Sequence, residues 1–148
     1  SEKEVDRRVE KTLDRVNLTD AMDKFPADIS GGMCKRAALA RAIVAEPEII
    51  LYDEPTSGLD PVTSRTIDSL IVGLRRELGV TSVVVTHDLH SALAVGSRIA
   101  MLYDGKIVEL AVPNVFVHSE NDQVQEFLAA QHIDRDKLWG AFEGDKSV

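Results

Sequence analysis

Ser30-Gly31-Gly32 stands directly before a basic, alanine-rich run from Met33 to Ile43. The first turn of a helix leaves backbone N–H groups free and carries the positive end of the helix dipole. Glycines let an anion reach that backbone, and a serine adds a hydroxyl donor, so this start could hold a phosphate. Standing alone, "SGG" reads first as a capped helix after a flexible turn. Asp53 and Glu54 end the apolar run "IILY". In an α/β sheet, sites lie outside the carboxyl ends of strands. An aspartate at a strand tip can hold Mg²⁺, often through water, and a neighbouring glutamate can polarise an attacking water as a general base. The bland alternative is two solvated acids. His87 follows a second apolar run, "SVVVT", at the same relative place. It could touch a terminal phosphate there, though alone it reads as a helix N-terminal residue with no task.

The elements that would position these residues follow from spacing. Val5, Val9, Leu13 and Val16 recur at helical intervals among charges, which predicts an amphipathic first helix. A polar connector with Pro26 leads to Ser30 as N-cap, and the helix behind it runs to about Glu46, where Pro47 stops it. "EIILYDEP" reads as a buried strand. After the turn "TSGLD", Asp60 caps the next helix, Pro61 takes its first position and Gly79 ends it. Ile67, Leu70, Ile71, Leu74 and Leu78 form its apolar face. Thr81 to Thr86 is a second buried strand, followed by the short helix "LHSALAVG". Asp104-Gly105 joins two further strands as a hairpin. A last helix places Val124, Phe127 and Leu128 on one side, and after Ile133 the chain reads as a loosely held polar tail. Strands alternating with helices predict an α/β layer with a parallel core.

Bulk properties narrow the classes. The chain has 148 residues and a net charge of −8, which argues against gripping nucleic acid or anionic lipid through overall charge. The single cysteine, Cys34, allows no internal disulfide and fits a reducing compartment. No apolar run approaches the roughly 18 residues of a membrane helix, and the start shows no signal-peptide pattern. Cys34 reads as a small packing residue. His90, His118 and His132 lack metal spacing. Lys35, Arg36 and Arg41 read as a solvated basic helix face.

The order of the stretches raises their meaning. "ISGGM", "IILYDEP", "SGLD" and "VVVTHD" together resemble the signature motif, Walker B strand with catalytic glutamate, D-loop and switch histidine of ATP-binding-cassette (ABC) transporter ATPases, over Ser1 to about Gln131. The resemblance implies the C-terminal portion of a P-loop NTPase domain of the α/β class. Residues 1–46 would be part of its helical subdomain, residues 47–133 its catalytic α/β part with a partial, mainly parallel sheet and flanking helices, and residues 134–148 the tail. It further implies two ATPase subunits, head to tail, sandwiching two ATPs. Ser30, Gly31, Gly32 and Met33 would then contact a nucleotide held by the partner subunit. Asp53 would hold Mg²⁺ through water, Glu54 would activate the hydrolytic water, and His87 would contact the γ-phosphate. Ser57, Gly58, Leu59 and Asp60 would lie in the dimer interface. Membrane permease subunits are the implied partners, nucleic acid is not, and the implied place is cytoplasmic, on the inner face of the cell membrane.

Two departures from the family pattern are informative. Ile29 for leucine is trivial, but Met33 stands where glutamine is most frequent. "SGGMCKRAALARAI" and "SENDQVQEFL" resemble the Mla-type lipid and solvent-resistance ATPases. That resemblance implies a phospholipid or related apolar cargo and an MCE-type lipid-binding partner. The second departure is that the sequence contains no G-x-x-x-x-G-K-[ST], and neither the family's glutamine loop nor its adenine-stacking aromatic is found. Such a loop supplies most phosphate contacts. The expectation is therefore a fragment of a full ATPase that neither binds ATP tightly nor hydrolyses it alone, with part of its core exposed and a tendency to self-associate. The competing readings are a non-catalytic remnant that supplies only the signature stretch to a partner ATPase, and an SMC-like DNA-associated ATPase. Pro55, the "SGLDP" loop, the lack of heptads before Ser30 and the acidic charge oppose the last.

Overall fold

The computed structural model describes residues 1–133. The chain divides into two compact units, Ser1–Val95 and Gly96–Val148. The polar tail, with Trp139 and Phe142, lies outside the described residues.

In the first unit, helix α1 (Glu2–Arg15) leads through short 3₁₀ turns at Thr19–Ala21 and Pro26–Asp28 to α2 (Gly31–Ile43). Strand β1 (Ile49–Asp53), helix α3 (Pro61–Leu78), strand β2 (Thr81–Val85) and helix α4 (Leu89–Val95) follow. β1 and β2 pair in parallel, with Ile49 opposite Thr81 and Asp53 opposite Val85. This is the β-α-β crossover that the alternation of strands and helices predicts.

The ends of α3 follow local chemistry. Asp60 Oδ1 accepts from the N–H groups of Val62 (2.9 Å) and Thr63 (3.0 Å). Pro61 occupies the first turn, and Gly79 closes the helix in the left-handed conformation, φ +66°. The inward stripe of α3 (Ile67, Ile71, Leu74) is buried with Ile43 and Leu39 of α2, Ile50 and Tyr52 of β1, and Val16. Each such aliphatic side chain contributes roughly 1.5–3 kcal/mol on leaving water.

Several expectations need correction, those of two fully buried strands among them. β1 is not a fully buried strand. Ile50 and Tyr52 enter the core, while Ile49 and Leu51 are 59% and 76% exposed, and Val83 and Val85 of β2 are 48% and 60% exposed. A two-stranded sheet with helices packed on one face leaves the other face open, so its apolar residues are half inside and half out. The expected exposure of core residues is present on that face. The apolar stripe of α1 docks only at its end: Val16 and Thr12 are buried, but Val5 and Val9 are exposed. Arg36 is not a solvated cation, because its guanidinium donates to the carbonyls of Val16 (3.2 Å) and Asn17 (2.5 Å) and so closes the end of α1. Cys34 is exposed rather than packed.

In the second unit, β3 (Ile99–Tyr103) and β4 (Lys106–Ala111) form an antiparallel hairpin. Asp104 and Gly105 both have positive φ, +47° and +73°, the geometry that Asp-Gly favours in a tight hairpin turn. Helix α5 (Pro113–Val117), which the sequence reading omits, buries Phe116 and Val117. Helix α6 (Asp122–Ala130) is capped by Asn121 and buries Val124 and Leu128. Among the described residues no helix is long and apolar enough to cross a membrane.

Candidate functional site

The residues singled out from sequence gather at two places in the first unit. The first is the start of α2. Ser30 has extended backbone and its Oγ accepts from the Met33 N–H at 3.3 Å, an N-cap that leaves the hydroxyl proton free to point elsewhere. Ser30 and Gly31 are exposed, whereas Gly32 is buried. The two glycines serve different needs. A Cβ on Gly32 would stand 2.6 Å from Thr63 Cγ2, so the first turn of α2 lies too close to α3 for any side chain there. A Cβ on Gly31 would meet Leu59 Cδ2 at an ordinary 3.6 Å. The loop Ser57–Asp60 thereby abuts the α2 start. Its Gly58 has φ +77°, Leu59 packs against the core, and Asp60 caps α3. Thr63 hydrogen bonds hold the Asp60 carboxyl below its ordinary value.

The second place is the end of β1. Asp53 is the last residue of the strand and is exposed. Glu54 still donates its N–H to the Val85 carbonyl at 2.9 Å, then leaves the strand with φ +46°. A non-glycine residue in the left-handed region costs about 1–2 kcal/mol, so the surrounding structure must hold it there. Its carboxylate accepts from the backbone N–H of His87 at 2.9 Å, and His87 Nδ1 lies 2.9 Å from the same oxygen, Oε1. With the carboxylate as acceptor, Nδ1 carries the proton. The hydrogen bond to Glu54, then its charge, raise the His87 pKa above the ordinary histidine value, and Asp88 adds to the rise. The other oxygen, Oε2, is buried with no hydrogen-bond partner.

Two further groups bond around this place, Lys35, which reads in sequence as a solvated cation, and Asp68, which shows no signal there. Lys35 Nζ, partly buried, donates to the Glu54 carbonyl at 2.9 Å, so it is not part of a solvated face. Asp68 on α3 is buried and accepts from Ser91 Oγ at 2.5 Å. Ser91 N–H in turn donates to Asp88 Oδ1 at 3.3 Å, just after His87. Burial raises the Asp68 pKa. No local pattern marks these contacts, because the partners lie 19 and 23 residues apart.

Among the described residues no three metal-binding side chains cluster. Asp53 offers a single carboxylate, which suits a Mg²⁺ held mainly by water and phosphate oxygens and does not suit an all-protein metal cage. A surface cavity of about 480 Å³ lined by Glu10, Lys11, Asp14, Thr19, Met22 and Asp23 shares no residue with either place.

Comparison with known proteins bears on this geometry. A family model described as "ABC transporter" matches residues 1–57. The chain is 40% identical over 142 residues to the methionine import ATP-binding protein MetN of Xanthomonas campestris pv. campestris, covering 95% of this chain and 42% of that protein. It is 38% identical over 136 residues to methionine import ATP-binding protein MetN 1 of Yersinia pestis bv. Antiqua, covering 90% and 40%. The chain thus spans about two fifths of the length of these curated relatives. Among solved structures, cbiO1 from Clostridium perfringens, described as part of the ABC transporter complex cbiONQ, superposes with a TM-score of 0.75 at 29% identity, covering 97% of this chain and 55% of that one. The ATP-binding cassette MJ0796, a dimer bound to ADP and Pi, gives a TM-score of 0.66 at 38% identity, covering 76% and 49%.

Proposed function

We propose that the chain is part of an ABC transporter ATP-binding domain, which the family match over residues 1–57 and the likeness to the MetN proteins and cbiO1 support, and that it supplies the hydrolytic carboxylate and the in-trans phosphate contact of an ATPase that drives transport. Glu54 orients the attacking water and takes its proton. His87, held by Glu54 through Oε1, presents the rest of its ring to the γ-phosphate. Asp53 binds Mg²⁺ through water, and the ion would neutralise charge on the phosphates. Ser30, the Gly31 and Gly32 backbone and Met33 face a nucleotide held by a second subunit, and Ser57, Gly58, Leu59 and Asp60 line the junction between subunits. Phosphoryl transfer needs positioning and charge neutralisation more than covalent chemistry, which these groups are suited to provide. The boundary between helical subdomain and catalytic part, at residues 46–47, belongs to the same proposal.

The Glu54–His87 contact carries this reading. The test is ATP hydrolysis by the whole protein with Mg²⁺, comparing the unmodified form with Glu54→Gln. The expected loss is about 10²-fold or more, the scale of a positioned general base. An unchanged rate in Glu54→Gln would sink the assignment. The competing reading is a partner-dependent module giving only Ser30–Met33 to another ATPase. In that case Ser30→Glu would abolish activity of the mixed assembly while Glu54→Gln would not.

Pairing of two such subunits, taken here as head to tail, is supported by the dimeric MJ0796 cassette, and a place in a larger transporter, docked on its permease, by cbiO1 being part of the ABC transporter complex cbiONQ. Such docking would keep the chain on the inner face of the cell membrane. The finer cargo reading is phospholipid or a related apolar molecule, of Mla type, with an MCE-type carrier. Met33 and the stretch Ser119–Leu128 support it. Methionine import competes, and the names of the relatives favour it. Stimulation of the reconstituted transporter's ATPase by phospholipid vesicles or by methionine separates the two.

A further inference from the structure

We infer that Lys35 is a positioning residue, whose ammonium fixes the Glu54 turn and ties the start of α2 to the Glu54 carboxylate of the same chain. The inference rests on the role proposed for Glu54. Three observations meet at one peptide unit. Glu54 has φ +46°, a conformation that an L residue holds only when its surroundings impose it. Its carbonyl takes two donors, Lys35 Nζ at 2.9 Å and Ser57 N–H at 3.2 Å. Its side chain then points at His87, where Oε1 meets both the backbone N–H and Nδ1.

The ammonium bond is charge-assisted and partly buried, so it is stronger than a solvent-exposed amide bond. A lysine fixed in this way gives up rotamer freedom that a solvated one keeps. Lys35 lies one helical turn beyond Gly31 and Gly32 on α2, whose first turn is locked against Thr63 by the buried Gly32. A rigid helix therefore carries, at one end, the backbone that would meet the partner's nucleotide and, one turn on, the cation that sets this chain's own carboxylate. Displacement of α2 by a nucleotide would be felt at Glu54 through Lys35.

The test compares Lys35→Met, which keeps the stem and removes the donors, with Lys35→Arg, which keeps a cation within reach. In the full chain, the His87 amide proton reports the bond to Glu54 Oε1 by its NMR shift. Lys35→Met is expected to move that resonance toward its position in Glu54→Gln, and Lys35→Arg to hold it near the original. In the whole protein, Lys35→Met is expected to lower kcat for ATP about tenfold, part of what a positioned base contributes, with KM unchanged. An unmoved His87 amide in Lys35→Met overturns the inference. So does a shift in Lys35→Arg as large as in Lys35→Met, which would mean generic packing. If the unmodified protein hydrolyses no ATP, the functional reading fails, while the His87 resonance still decides the positioning role.

Discussion

His87 meets Glu54 twice on one oxygen, through its backbone N–H and through Nδ1, each 2.9 Å from Oε1. The strand end and the turn after β2 are thereby joined by a single carboxylate. The contact raises the His87 pKa, with the hydrogen bond first and the charge of Glu54 second. For a histidine with a raised folded pKa, the stabilisation is fully present below the unfolded value, about 6.5, and is lost as pH rises through the higher folded value. An NMR titration of the His87 ring is expected to show a midpoint above 6.5 that falls back in Glu54→Gln. A midpoint at or below the ordinary value in the unmodified chain would refute the contact.

Gly32→Ala is expected to destabilise the first unit by about 1–3 kcal/mol, the cost of forcing a methyl group into a closed contact. The new Cβ would sit 2.6 Å from Thr63 Cγ2. Urea unfolding measures the loss, and Thr63→Ser, which removes the clashing methyl, is expected to restore most of it. Gly31→Ala, with 3.6 Å of room, serves as the control and should be close to neutral for stability.

Ser91→Ala leaves buried Asp68 Oδ1 without its hydroxyl donor, which costs about 1–3 kcal/mol. Asp68 itself has a pKa raised chiefly by burial. A raised carboxyl contributes stability below its unfolded pKa and loses it as pH rises through the folded value. Asp68→Asn keeps an acceptor without the charge, so its stability relative to the original is expected to improve from acid to neutral pH. Thermal melts at both ends of that range check the sign, and a relative stability that falls with pH would contradict it.

The open face of the β1–β2 pair bears Ile49, Leu51, Val83 and Val85. Exposed apolar strands of this kind drive association. The chain is expected to self-associate as its concentration rises, and Leu51→Lys with Val83→Thr to reduce that. Light scattering against concentration decides it; equal association of the two forms would place the contact elsewhere.

Much of the framework is legible in local chemistry. Asp60, Pro61 and Gly79 mark both ends of α3 because caps and left-handed closures depend on residues within one turn. Asp104-Gly105 specifies the hairpin for the same reason, since both residues tolerate positive φ. Periodicity finds Ile67, Ile71 and Leu74 as the inward stripe. The order of the four motifs carries the resemblance to ABC transporter ATPases. Helix α5 escaped because five residues are too few for a period to show.

The tertiary structure alone decided which of these residues meet. Glu54 and His87 are 33 residues apart, and only the parallel pairing of β1 with β2 puts their turns side by side. Gly32 looks like an opening for an anion in sequence, yet the approach of α3 is what forbids a side chain there. Lys35 looks solvated on a helical wheel, and the packing of α2 turns it onto the Glu54 carbonyl. The apolar run of β1 suggests burial on both faces, but the helices cover only the side of Ile50 and Tyr52. Local propensity acts over a few residues, whereas these relationships depend on how whole elements share buried surface.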